Sequence, residues 1–265
     1  MDSYTADRLN YKFMCGSDEE PDVERAYYSA VTVSQNIEGS SVHLHVPAIQ
    51  NNFMDTSEFY IRVAVQVLRP DGGRIGKIGE NAEEPGLDVF PLNGFLSNLW
   101  SQCNVRVNGC SLPPVTNYPY VAQLYNVLAS SLDVRENVLQ PLSLGITDGA
   151  DESLISKDSV TRNIASMSRI EGSKEVVLYG RVHSDFLQSL AQLLPDSLDL
   201  DIELVRGRDS FALGSANPDA DYRIRINSVT LFVIRVVFNS PALAFLRENL
   251  GTDDYYSSTN VTTVV

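Results

Sequence analysis

The run Tyr222-Arg223-Ile224-Arg225-Ile226-Asn227-Ser228-Val229-Thr230-Leu231-Phe232-Val233-Ile234-Arg235-Val236-Val237-Phe238 decides the fold. Its first part alternates: Tyr222, Ile224 and Ile226 point one way, Arg223, Arg225 and Asn227 the other, the period of two imposed by an extended strand. From Val229 to Phe238 both faces are largely apolar, interrupted by Arg235. Such a segment is buried on both sides, or bends at a bulge near Asn227-Ser228. Cover by a second domain or a neighbouring subunit would make Val229, Leu231, Val233 and Val237 a candidate assembly-contact face.

The same period recurs along the chain. Phe59, Ile61, Val63, Val65 and Val67 oppose Tyr60, Arg62, Ala64, Gln66 and Leu68, and the strand stops at the turn residues Arg69-Pro70-Asp71-Gly72-Gly73. Leu198, Leu200, Ile202 and Leu204 oppose Asp199, Asp201 and Glu203, a half-exposed strand with an acidic face. Val42, Leu44 and Val46 alternate with His43 and His45, so the first clear strand starts at Ser41; another covers Val176 to Tyr179. Val23 to Val33 reads as strand or arm, behind the acidic cluster Asp18 to Asp22.

Asn108-Gly109 is a strong hairpin signal, because a type I′ turn needs positive φ at both positions. Val107 then faces Cys110, Val105 faces Leu112, and Cys103 faces Pro114. That leaves Cys103 and Cys110 roughly 13 Å apart along the ladder, too far for a disulfide. Helices are short. Leu92, Phe95, Leu96 and Leu99 have helical spacing despite Gly94. Tyr118-Pro119 opens a helix with Val121, Leu124, Tyr125 and Leu128 on one face. Another begins near Ser184 and carries Phe186, Leu187, Leu190 and Leu194 before Pro195; Ser240-Pro241 starts one that runs to Leu250. Leu132 to Ser173 shows no strong element.

The fold class expected is all-β, a jelly-roll β-sandwich of about eight strands with short helices inserted in its connections. Residues 1–40 read as a partly mobile arm, 41–250 as the jelly-roll domain, and 251–265 as a linker leading to Val261–Val265, the start of a further strand. A chain of 265 residues with 43% hydrophobic content can build that core. Its net charge of −14 (20 Lys and Arg against 34 Asp and Glu), without any basic run, argues against direct nucleic-acid binding. No apolar run is long enough to span a bilayer, and no signal peptide opens the chain. Cys15, Cys103 and Cys110 are too few and scattered for a disulfide framework.

Gly73-Arg74-Ile75-Gly76-Lys77-Ile78-Gly79 lacks the Ser or Thr after Lys77 and the upstream glycine of a phosphate loop, and reads as a strand connector. His43 and His45 share a strand face about 7 Å apart, but their sequence neighbourhood offers no third metal ligand. His183-Ser184-Asp185 has the residue types of a hydrolase triad, yet adjacent residues cannot aim at one another in relay; Ser184 and Asp185 read as a helix start. Asp199, Asp201 and Glu203 read as a solvated strand face. Asn260-Val261-Thr262 matches a glycosylation acceptor that a chain without a secretory signal does not use. No catalytic residue, cofactor or metal is expected.

Two stretches carry a resemblance. Phe90 to Gly109, with Ser101-Gln102, Val105 and Asn108-Gly109, is followed by Tyr118-Pro119-Tyr120. Gly180-Arg181, His183 and Asp185 are followed by Asp199, Ile202, Leu204, Arg206, Asp209, Phe211 and Leu213. In order and spacing these resemble the major capsid proteins of adintoviruses and Polinton-like (Maverick) elements, over roughly Ser57 to Leu250. The resemblance implies a structural virion protein, or its integrated genomic relic, built from two tandem jelly rolls. It further implies homotrimeric capsomers in an icosahedral shell, contacts to neighbouring capsomers and a minor capsid protein, and a virion location after synthesis in the host cytoplasm, with the nucleus as candidate assembly site. At 265 residues there is room for the first jelly roll and the opening strand of the second. The alternative is a jelly-roll binding module of a host cell, for carbohydrate or protein; lone Trp100, inside a helical pattern, supports it poorly.

Overall fold

The computed structural model describes residues 23–33, 37, 39–49, 52–77, 89–129, 164–189, 193–195, 198–215 and 221–238. In chain order the elements are β1 (Val23–Val33), β2 (Ser41–Val46), β3 (Phe53–Leu68), β4 (Val89–Pro91), α1 (Phe95–Asn98), β5 (Trp100–Val107), β6 (Cys110–Ser111), β7 (Val115–Thr116) and α2 (Tyr118–Ala129). There follow α3 (Ile164–Ile170), a 3-10 turn (Glu171–Ser173), β8 (Val176–Arg181), α4 (Asp185–Ser189), β9 (Leu193–Pro195), β10 (Leu200–Arg206), α5 (Asp209–Ala212), β11 (Leu213–Ser215) and β12 (Arg223–Phe238).

One sheet runs β1-β12-β3-β8, with β9 also on β3; the other runs β2-β10-β5-β6, with β7 also on β5; β4 and β11 form a separate ribbon. Every pairing of these strands is antiparallel. The core lies between the two sheets, filled by the alternating residues of each: Phe59, Ile61, Val63, Val65 and Val67 from β3 meet Leu44, Val46, Leu200, Ile202, Leu204 and Val105 from the other side. This is the two-sheet, all-β plan that the periodicity predicts.

The bulge expected near Asn227 is present. Ile226 pairs with Val65 and Ser228 with Ala64, so Asn227 is the extra residue on β12. Its effect is a change of parity: Ile224 and Ile226 face the core before it, and Val229, Leu231 and Val233 after it. Those last three are 0% exposed inside the chain's own sandwich. The assembly-face expectation fails for them for that reason, while Val237 is half-buried.

The Asn108-Gly109 turn has φ of 49° and 79°, and Val107 faces Cys110 as expected. Farther along, Cys103 faces Val115, not Pro114, because the ladder slips by one residue across Leu112-Pro113-Pro114. Cys103 is buried, Cys110 is exposed, and both are free thiols.

Other expectations need correction. Val23–Val33, placed in the arm, pairs with β12 along most of its length, so the strands begin before Ser41. The helix sought across Phe90–Trp100 is one turn long, because Val89–Pro91 pairs as β4 and the backbone at Gly94 is left-handed (φ 71°). Phe95, Leu96 and Leu99 are buried all the same. The helix after Ser184 is described over Asp185–Ser189, and Leu193–Pro195, expected to continue it, pairs instead with Asp55–Phe53. The stretch read as irregular contains α3, whose Met167 and Ile170 are buried. On α2 the apolar face divides: Tyr118 and Ala122 are buried, but Leu124 and Leu128 point outward. The acidic cluster at Asp18–Asp22, Cys15, the helix from Ser240, the Asn260 acceptor and the strand at Val261–Val265 lie outside the described residues.

Candidate functional site

The second motif stretch folds into a corner at the end of β8. Gly180 allows a close approach there: a Cβ on it would lie 2.5 Å from Cδ2 of Leu96 and would force that side chain to shift. Three residues on, the His183 ring is buried, stacked on Tyr125 (centroids 5.9 Å, interplanar angle 11°) and tilted against Tyr118 (6.3 Å, 52°). The His183 backbone N–H donates to Oη of Tyr118 at 3.1 Å, and Oη of Tyr125 donates to Oδ1 of Asp185 at 2.7 Å. Desolvation, with the nearby Arg181 charge, holds the His183 imidazole down to about 4, so it is neutral at neutral pH. The bond to Asp185 and burial push the Tyr125 phenol up to about 12, and burial raises Tyr118 further. Ser184 is buried beside them. With the imidazole laid on tyrosine rings and the carboxylate held by Tyr125, the corner packs α2 against β8 and α4.

On the outer face of the second sheet, His43 and His45 meet the acidic face of β10. Register places His45 opposite Asp201 and His43 opposite Glu203. His45 Nδ1 lies 2.7 Å from Asp201 Oδ1, and His43 Nε2 lies 3.6 Å from Glu203 Oε1 and 3.1 Å from Ser41 Oγ. From β5, Asn104 Nδ2 donates to Glu203 Oε2 at 3.0 Å and Arg106 Nη2 lies 3.9 Å away. The Asn104 bond is the chief reason that Glu203 is held below the usual carboxylate range. Asp199 accepts from the Ala48 backbone N–H at 3.0 Å. Sequence reading named both halves of this array without joining them, because the β2–β10 pairing is non-local. Each imidazole takes a different carboxylate, and among the described residues no group of three or more His, Cys, Asp or Glu could hold a metal ion.

The remaining candidates have structural occupations. Ile75, in the glycine-rich loop, is buried, and its N–H donates to Oγ of Ser173, which donates to the Val67 carbonyl. Arg206 and Asp209 clasp one residue of β12 by both its backbone polar groups: Asp209 Oδ2 accepts from the Ile224 N–H at 3.0 Å, while Arg206 donates to the Ile224 carbonyl and to Asp209 Oδ1. Trp100 is 1% exposed and cannot serve as a sugar platform. Burial pushes the Cys103 thiol up to about 12. Arg235, fully buried, donates from Nη2 to the Pro47 carbonyl at 3.0 Å, tying β12 to the end of β2.

No protein-family model and no curated protein matches the chain. Solved structures do. A chain of the Sputnik virophage, in its 3.5 Å cryo-EM structure, aligns with 14% identity and a TM-score of 0.54, over 82% of this chain and 48% of that one. The mavirus major capsid protein aligns with 12% identity and a TM-score of 0.44, over 82% and 47%. The PBCV-1 virus capsid aligns with 12% identity and a TM-score of 0.44, over 86% and 47%. The chain therefore spans about half the length of the solved chains it matches. The Sputnik likeness and the two antiparallel sheets make the fold an all-β jelly-roll sandwich. No helix among the described residues is long and apolar enough to cross a membrane.

Proposed function

We propose that the chain is a structural virion protein, the jelly roll of a major capsid subunit or of its integrated genomic relic. The observation that carries this reading is the fold likeness to the Sputnik virophage chain at a TM-score of 0.54. The motif resemblance to adintovirus and Polinton-like capsid proteins supports it. So does the use made of the motif residues: Gly180 leaves room for Leu96, and His183, Asp185, Arg206 and Asp209 each tie one part of the fold to another. On this reading the protein is not an enzyme, and its partners are copies of itself in trimeric capsomers, neighbouring capsomers and a minor capsid protein. Condensing the genome belongs to another component, because an acidic surface repels phosphate.

The test is electron microscopy with light scattering on the purified chain and on the longest gene product that contains it. Trimers or shells are the expected outcome. A monodisperse monomer from both, at tens of micromolar, would overturn the reading.

A further inference from the structure

Helix α2, Tyr118-Pro119-Tyr120-Val121-Ala122-Gln123-Leu124-Tyr125-Asn126-Val127-Leu128-Ala129, contains no Asp, Glu, Lys, Arg or His. Yet it lies on the surface of a chain whose net charge is −14. Tyr120, Leu124 and Leu128 recur every fourth residue, which puts them on one helix face, and they are 67%, 57% and 75% exposed. Phe211 of α5, 41% exposed, extends the stripe by an edge-on contact with Tyr120 at 5.9 Å. Among the described residues the other large exposed apolar side chains, Tyr28, Ile49 and Tyr179, lie in separate parts of the chain.

We propose that this stripe is a twofold contact between two copies of the chain. The proposal rests on the reading of the protein as a self-assembling shell subunit, and adds to it a pairwise contact separate from the trimer.

Charge selects the occupant. A basic partner would be drawn to the acidic surface and would gain nothing from a neutral helix, whereas two copies of like charge can meet closely only where neither brings a carboxylate out of water. Area agrees. The four side chains expose roughly 500 Å², against about 800 Å² that each partner contributes to a stable interface, so they form the centre of a contact and neighbouring polar residues its rim. The spacing is also self-complementary. With two copies of α2 antiparallel across a twofold axis, Tyr120 meets Leu128 of the other copy and Leu124 meets Leu124 at the axis.

Two measurements on the full chain decide it. In a background with Cys15→Ser and Cys110→Ser, Leu124→Cys is expected to give a covalent dimer under mild oxidation, whereas Tyr28→Cys, exposed on β1 and away from the stripe, is not. By sedimentation velocity, Leu124→Glu is expected to weaken pairwise association roughly tenfold or more, with an unchanged circular dichroism spectrum because the site is exposed. Wild-type association with no cross-link at position 124, or equal association of Leu124→Glu and wild type, overturns the α2 contact and leaves the shell reading standing. A wild-type chain that stays monomeric overturns the α2 contact, whereas the shell reading falls only if the longest gene product containing the chain is monomeric too.

Discussion

His183 shows how one buried side chain gives the protein a pH dependence. Unfolded, the imidazole takes its proton near its ordinary value of 6.5; folded, against Tyr118 and Tyr125, it does so only at about 4. Between those values the unfolded chain binds more protons, so stability is complete above pH 6.5, falls as the pH drops towards 4, and levels off below. The loss from this group amounts to about 3 kcal/mol. His183→Phe keeps a ring on Tyr125 and removes the titration. Urea unfolding at a series of pH values should show the wild type losing that much more than the variant across the window, and parallel curves would refute the assignment. The residue was legible in the sequence as a motif member, and its role was not. Nothing near 183 in the sequence says that Tyr118 and Tyr125 pack on it, since they come from an element some sixty residues earlier. The same holds for His43 and His45, whose carboxylate neighbours are set by the pairing of β2 with β10.

At the scale of elements, the parity of β12 was readable because it is local. Apolar residues at 224 and 226 and again at 229, 231 and 233 cannot share one face of a regular strand, so an extra residue must lie between them. Deleting Asn227 is therefore expected to abolish cooperative unfolding, since either the bulge or the burial of Val229, Leu231 and Val233 is lost. Asn227→Ala, which removes only an exposed bond to Glu175, should change stability by less than about 1 kcal/mol. Leu231→Ala should cost about 2 to 5 kcal/mol, and Val237→Ala clearly less, because Leu231 is fully buried and Val237 is not. Chemical denaturation ranks all three; comparable losses at 231 and 237 would contradict the placement of Leu231 in the core. What the sequence hid at this scale was competition between local preference and distant partners. Leu193-Leu194-Pro195 continues a helical pattern, but the end of β3 is available and takes it as β9. Val89–Pro91 is drawn into a ribbon with Leu213–Ser215. Val23–Val33, ambiguous alone, becomes a strand because β12 offers it a ladder.

For the whole molecule, the balance between net charge and one neutral face sets how association responds to salt. Each copy carries −14, so two copies repel over the distance at which solvent charges see one another, about 30 Å at 0.01 M salt and about 10 Å at 0.1 M. If copies met through paired charges, such as the Asp201 and Glu203 face of one against arginines of another, salt would screen the attraction and association would fall. A contact centred on Tyr120, Leu124, Leu128 and Phe211 has no charge of its own to screen. Salt then removes only the repulsion, and association should rise between 0.01 and 0.1 M, to flatten once the screening length is shorter than the gap between the remaining carboxylates. Sedimentation equilibrium at pH 7.5 reads this directly, and that pH keeps His183 neutral and the fold intact, so a change in association is not a change in folding. Lowering the pH would also discharge the surface, but it crosses the window in which His183 destabilises the sandwich. Salt and low pH should thus act differently: the first strengthens association reversibly with the fold intact, the second only together with loss of structure. Association that weakens steadily with salt would assign the contact to charged faces and away from α2.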